Sequence, residues 1–312
     1  MFTVPLNRLL EKTEGTKFHE SALAKKESSS TGASAKNPAS ESWGSGKYFD
    51  LSSGGDWKEP EIIVAQSSER NIDMGHKSIQ KCAIFLEEGV ESSLNGSVRS
   101  SKTFQAHRMY VELRRGAHVK FSLCFEKGHT MWSVLKFVLS EQASLEIFIS
   151  SREVVAHRLE LEIQLQGEGS SAIAEITHEG RRNQTFDSRT LQHHIACHTE
   201  SHLKVKNALD DRAQSVFGGK IIIAESAAGA KASQKNQNLM LSPKTLAHSL
   251  PKLEIRSKDV ECSHGAIVMP LDAGILFYMN SRGIDTITAK QILKKSFLGG
   301  AFSDEMNFGF VH

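Results

Sequence analysis

Two stretches of the chain gather side chains able to bind a metal or attack a substrate. The first is DVECSHGAIVMPLD, residues 259–272, in which Cys262 and His264 stand two positions apart. In an extended strand residues i and i+2 point to one side, so the thiol and the imidazole would share a face. Thiolate and neutral imidazole together suit iron or zinc, and a neighbouring histidine can lower a thiol's pKa. As a nucleophile–base pair they suit less well. Neighbours on one face rarely aim at the same substrate atom, and no third, orienting group can be named. The plainer alternative is a half-buried cysteine beside a polar histidine at a strand end.

The second stretch, LQHHIACHTESH (191–202), holds His193, His194, Cys197, His198 and His202. On a helix, His193/Cys197 and His194/His198 would be i, i+4 pairs suited to zinc. A metal-dependent β-solenoid enzyme using the His193/His194/His198 region is therefore the alternative reading of the chain. The surroundings read as strand, however. There His194 and His198 would share one face and His193 and Cys197 the other, which splits the cluster. The acid pairs Asp210/Asp211 and Glu87/Glu88 lie in charged turns as solvated groups. GSGK at 44–47 lacks the first glycine of a phosphate loop and has no Ser or Thr after Lys47.

These groups must be positioned by strands. From about residue 60 to 260 the hydrophobic period is two. HVKFSLCFEK sets Val119, Phe121, Leu123 and Phe125 on one side, and SLEIFIS does the same with Leu145, Ile147 and Ile149. HRLELEIQL alternates Leu159, Leu161, Ile163 and Leu165 with Glu160, Glu162 and Gln164. SHLKVKNAL, GGKIIIAE, QNLMLS and PKLEI continue the series. Such a succession means a sandwich, a barrel or a β-solenoid, and periodicity does not choose among them. No exact repeat of fixed length is present.

Either end differs. Residues 1–46 form one unit: an amphipathic helix over 1–17 carrying Leu6, Leu9 and Leu10, then a linker, KKESSSTGASAKNPASESWGSG, with almost nothing to bury. A β core spans 47–265. Residues 266–312 form a helical hairpin and a loose tail. In LDAGILFYMNSRG, Asp272 is placed to cap a helix, with Arg282 in its last turn and Gly283 as the stop. DTITAKQILKKSFL sets Ala289, Ile292, Leu293 and Phe297 along one stripe.

The formal net charge is +2, from 38 basic and 36 acidic residues in 312, with no concentrated basic face, which argues against nucleic acid as a partner. No apolar run reaches membrane-spanning length, since GAIVMPLDAGILFYM is broken by Pro270 and Asp272. Cys82, Cys124, Cys197 and Cys262 are widely spaced without a CxxC, so a reducing compartment is expected. The N-terminus lacks an uninterrupted signal-peptide core, and Glu11, Glu14, Glu20 and Glu27 are too many acids for a transit peptide. The expected location is the cytoplasm.

Three runs carry a resemblance: GEGSSAIAEITHEGRRNQTFDSRTLQHH, VFGGKIIIAESAAGAKASQKNQNLMLSP and PKLEIRSKDVECSHGAIVMPLDAGILFYMNSRGIDTITAKQILKKSF. The ordered set P-x-L-E-I, D-V-x-C-S-H-G-A, L-F-Y, S-R-G-I and a closing helix resembles the SufB/SufD family of iron–sulfur cluster assembly proteins, over roughly residues 150–298. The resemblance implies a mainly β fold, a right-handed parallel β-helix with short flanking helices. It also implies a non-enzymatic scaffold working with a SufB-like subunit and the SufC ATPase. The chain looks more like SufD than SufB. SufB-type members carry a cysteine in the strand that here reads QKNQNLML and follow the later cysteine with Glu-His-Glu, whereas this chain has Asn236, Gln237 and Asn238, then Ser263-His264-Gly265. The resemblance therefore implies His264, with Cys262, as ligands for transient iron or a nascent cluster at the SufB interface. It implies SufC docking on the hairpin, through Ile284, Ala289, Ile292, Leu293 and Phe297. The family leaves room for a flavin, for which no nucleotide fingerprint is present, and for a homodimer where SufB is absent.

Overall fold

The computed structural model describes residues 61–65, 70–73 and 79–299. The helix expected over 1–17, the linker to residue 46 and the tail beyond 299 lie outside them. Sixteen strands follow one another before any helix of the described part. They are β1 (Glu61–Ala65), β2 (Arg70–Asp73), β3 (Ile79–Leu86), β4 (Glu91–Arg99), β5 (Phe104–Leu113), β6 (His118–Leu139), β7 (Ser144–Ser151) and β8 (Val154–Leu165). Then come β9 (Ser171–Gly180), β10 (Thr185–His194), β11 (Glu200–Leu209), β12 (Gln214–Ile223), β13 (Ala230–Met240), β14 (Leu246–Ser249), β15 (Lys252–Ile255) and β16 (Val260–Pro270). Two helices close the order, α1 (Ala273–Ser281) and α2 (Thr286–Leu298).

From β2 onward the ladders are parallel, and nearly every strand pairs not with its successor in sequence but with the strand one coil later. One sheet runs β3-β5-β6-β8-β10-β12, with β14 and β15 both on β12; the other runs β2-β4-β6-β7-β9-β11-β13-β16. The 22-residue β6 bends from one sheet into the other: its first part pairs with β4 and β7, its second with β5 and β8. The result is a β-solenoid of about 7 turns. Coil length varies. Thr130 pairs with Ala156, whereas Glu200 pairs with Lys231, a longer step along the chain. That variation is why the sequence shows no repeat of fixed length.

Alternation works as the side-chain period demands. Val119, Phe121, Leu123 and Phe125 point inward and are buried, as are Leu159, Leu161, Ile163 and Leu165. Phe121 meets Phe137 from the opposite sheet edge to face, ring centroids 5.1 Å apart. Each such side chain contributes about 1.5–3 kcal/mol by leaving water. The corners stack as regularly. Gly89, Gly116, Gln142, Gly169, His198 and Gly229 all take positive φ at one corner, each donating its N–H to the carbonyl just before the corner of the next coil. Gly167 is required by close approach, because a Cβ there would collide with the Glu141 backbone nitrogen of the coil below.

The helices form as their caps direct. Asp272 accepts a hydrogen bond from Gly274 N at 2.7 Å to start α1, and Gly283, at φ +83°, turns the chain after it. Asp285 caps α2 through Ile287 N and Thr288 N. No helix among the described residues is long and apolar enough to cross a membrane.

Candidate metal-binding edge and partner surface

β16 is the outermost strand of its sheet among the described residues. Its register sets Cys262 beside Ala232 and His264 beside Gln234, both inward-facing positions of β13. The inward column that ends at His264 reads Leu94, Phe121, Ile147, Ala174, Leu203, Gln234, His264 from coil to coil. In the lower coils that column is buried. At the last coil no further strand among the described residues covers it, so His264 is exposed although it faces the lumen side. Cys262 is half-buried against the small apolar cluster of Ile221, Ile223, Ala227, Ala230 and Ala232. Burial pushes its thiol above the usual range. Desolvation is the cause, and the half-buried cysteine beside an exposed, polar histidine matches the plainer of the two readings of this pair.

Beneath His264 the lumen turns polar. Where β8 presents Leu161, Ile163 and Leu165, β10 presents Thr190, Gln192 and His194 in register. Gln192 donates to Ser201 Oγ at 2.7 Å, and His194 spans Thr199 Oγ1 at 2.8 Å and Ser201 Oγ at 2.7 Å. Asn207 donates to Asn238 Oδ1 at 2.8 Å, and Asn238 in turn donates to Asn236 Oδ1 and the Ile267 carbonyl. Both polar atoms of the Gln234 amide lack a protein partner, as do Thr190 Oγ1 and Asn236 Nδ2. The amide has room because residue 219 is glycine, whose Cβ would otherwise collide with Gln234 Nε2 and Oε1. Thr190, Gln192, His194, Gln234, Asn236 and Asn238 thus line the lumen next to His264 with buried polar side chains.

The histidine-rich stretch is split, though not as strand alternation alone foretells. β10 stops at His194, so Cys197 and His198 lie in the following turn. His193 is half-buried on the outer face, and burial lowers its pKa. His194 is buried in the lumen, held to about 4 by desolvation. The three histidines of the alternative reading do not converge. What the turn does bring together is Cys197 and His198 with Glu168, an acid that strand and helix spacing could not have connected to them.

On the hairpin, Ala289 and Leu298 are buried, and Ile284, Leu293 and Phe297 are half-buried, so much of the stripe covers the body. Lys290 pairs with Asp210 at 3.2 Å and Lys294 with Glu179, which fixes α2 against the solenoid. Ile292 is exposed. So are Ile275, Phe277, Tyr278 and Ile287, the outward apolar groups of the two helices, with Phe277 at 75%. A second exposed apolar group, Leu246, Leu250, Leu253, Ile255, Ile267 and Val268, lies along β14 to β16, the last coil of the described part.

Comparison with known proteins agrees with this architecture. The family model "SUF system FeS cluster assembly, SufBD core domain" matches residues 66–297. The chain is 28% identical over 219 residues to the iron–sulfur cluster assembly protein SufD of Escherichia coli, covering 68% of this chain and 51% of that protein. It is 33% identical over 144 residues to an iron–sulfur cluster assembly SufBD family protein of Synechocystis sp., covering 46% and 31%. It is 31% identical over 196 residues to Protein ABCI7, chloroplastic, of Arabidopsis thaliana, covering 60% and 40%. The chain thus spans about half or less of the length of these relatives.

Proposed function

The chain belongs to the SufB/SufD family of iron–sulfur cluster assembly proteins as a SufD-like member, and from that premise we propose that it is a non-enzymatic accessory scaffold of the Suf system. Its partners in this reading are a SufB-like subunit, paired along the open coil, and a SufC-like ATPase. The observation that carries it is His264: an imidazole on the lumen side of the last described coil, exposed because no described strand covers it. A parallel edge with free backbone groups and an apolar flank accepts a related edge from another subunit. The SufB-like subunit then supplies the thiolate, His264 supplies nitrogen, and Cys262, once deprotonated, supplies a second sulfur to iron or a nascent cluster, the cargo of the complex. Where the SufB-like subunit is absent, a second copy can occupy the same edge.

Docking of the ATPase is assigned to the hairpin, where Ile292 joins the exposed Phe277, Tyr278 and Ile287. Partner capture through buried apolar anchors fits such a face. The proposed location is the cytoplasm. Affinity purification of the tagged chain from its native cell tests the proposal: a SufB-like protein and a SufC-like ATPase should co-purify. The complex carrying His264→Ala should assemble clusters poorly, read as bound iron and sulfide, while keeping its composition. Full assembly by that variant removes His264 from the site, and absence of both partners removes the proposal.

A further inference from the structure

The geometry points to a second metal site, away from the subunit edge, formed by Glu168, Cys197 and His198 at a corner of the solenoid. We propose that it binds one divalent ion of the borderline class, zinc being the type. The three ligand atoms all lie within 4.8 Å of one another. Glu168 stands in the turn between β8 and β9; Cys197 and His198 stand in the turn between β10 and β11. Coil stacking joins them, since Gly169 N–H donates to the Cys197 carbonyl at 3.3 Å and places one turn directly on the other. Tetrahedral zinc sets sulfur and nitrogen ligands roughly 3.5 Å apart, a closure of about 1 Å that turn side chains reach by rotation.

Two features of the backbone favour this use. His198 has φ +54° at a position where the coils on either side use glycine, Gly169 at +68° and Gly229 at +70°. The imidazole is thus carried on the corner itself, between two coils that present no side chain there. Gly229 also keeps the ring's place open, because a Cβ there would lie 2.5 Å from His198 Nδ1. The donor set decides the metal. Thiolate with imidazole and one carboxylate suits zinc and its neighbours and suits magnesium or calcium poorly. Binding releases the thiol proton to solvent and leaves a fourth position for water.

The test uses the full chain, stripped with chelator and titrated with Co2+. Wild-type protein should take up one equivalent at this site, seen as a thiolate-to-cobalt charge-transfer band with tetrahedral visible bands, and Zn2+ should displace it. Cys197→Ser and His198→Gly should both lose those bands. Glycine is at ease at positive φ, so His198→Gly should fold at least as well without metal; Zn2+ should raise the melting temperature of wild type and leave that of His198→Gly unchanged. The double variant Cys262→Ser/His264→Ala should keep the bands, which separates this site from the cluster edge. Wild-type protein that gives no thiolate–cobalt band, or a band that survives Cys197→Ser in the Cys262→Ser/His264→Ala background, overturns the proposal.

Discussion

His107, His157, His178 and His194 are all buried in the solenoid, and lowering the pH from 8 to 5 should charge them only in the unfolded chain. His157 lies between Ser151 Oγ at 2.9 Å and Ser133 Oγ at 3.1 Å, and His178 bonds Ser188 Oγ at 2.8 Å. His178 also stacks on Phe186, and neither ring nitrogen of His107 has a protein partner. Desolvation lowers His107 and His194 to about 4, His178 to about 3, and His157 well below its ordinary value. A histidine kept neutral by the fold contributes its full share above the unfolded value near 6.5 and loses it as pH falls toward the folded value. At pH 5 the solution is about 1.5 pH units below the unfolded ring's pKa, while the folded ring is still neutral. At about 1.36 kcal/mol per unit, each histidine then costs about 2 kcal/mol of stability. The three with stated values together cost about 6 kcal/mol, and His157 acts in the same direction. Against the usual total of about 5–15 kcal/mol, that is enough to bring the fold near its midpoint. Urea unfolding followed by far-UV circular dichroism at pH 8, 7, 6 and 5 should show the midpoint falling mostly below pH 6.5. His107→Phe, beside Phe125 with ring centroids 5.9 Å apart, should flatten the dependence by about one histidine's share. A midpoint constant from pH 8 to 5, or a variant with the wild-type dependence, refutes the reasoning.

Phe121→Ala removes the ring packed on Phe137 and should cost about 3–5 kcal/mol in urea titrations. Gly167→Ala drives a methyl into the Glu141 backbone and should cost about 1–3 kcal/mol, with no remedy from side-chain substitutions nearby. His264→Ala, at an exposed position, should leave stability within about 0.5 kcal/mol while lowering cluster content of the purified complex. Phe277→Glu should abolish retention of the ATPase in pull-downs without moving the melting temperature, because the ring is 75% exposed and contributes little to the core.

The inward sets of β6, β7 and β8 could be read directly, because strict alternation of apolar and polar residues is itself the geometry of a half-buried strand. The choice of a solenoid over a sandwich could not, since it depends on each strand pairing one coil later, and that offset grows from the Thr130–Ala156 pair to the Glu200–Lys231 pair. The resemblance of the later motifs supplied it. His264 was legible from spacing as a strand neighbour of Cys262. Its exposure was not, because exposure depends on whether a further coil covers the strand rather than on anything local. Glu168 was invisible beside Cys197 for a related reason: the two are remote in sequence and one coil apart in space. Alternation also misleads at β10, where Thr190, Gln192 and His194 face inward and a hydrophobic pattern would turn them out.

That reversal from one coil to the next separates two tasks. Leu161, Ile163 and Leu165 close the lower lumen with apolar area, and their replacement in the next coil by Thr190, Gln192 and His194 gives that area up. Burying polar side chains costs more than burying the apolar ones they replace, so the upper coils should add less net stability than the lower ones. A solenoid is quasi-one-dimensional, each coil answering mainly to its neighbours, and a costly terminal segment is therefore tolerated without loss of the rest. Opening of the upper coils should accordingly require less free energy than opening around Phe121 and Phe137. Amide exchange in β13 and β16 should run faster than in β6 and β8 in the free chain and slow selectively when a partner edge covers Cys262 and His264. Uniform protection along the whole solenoid would mean that the polar lumen carries no such cost.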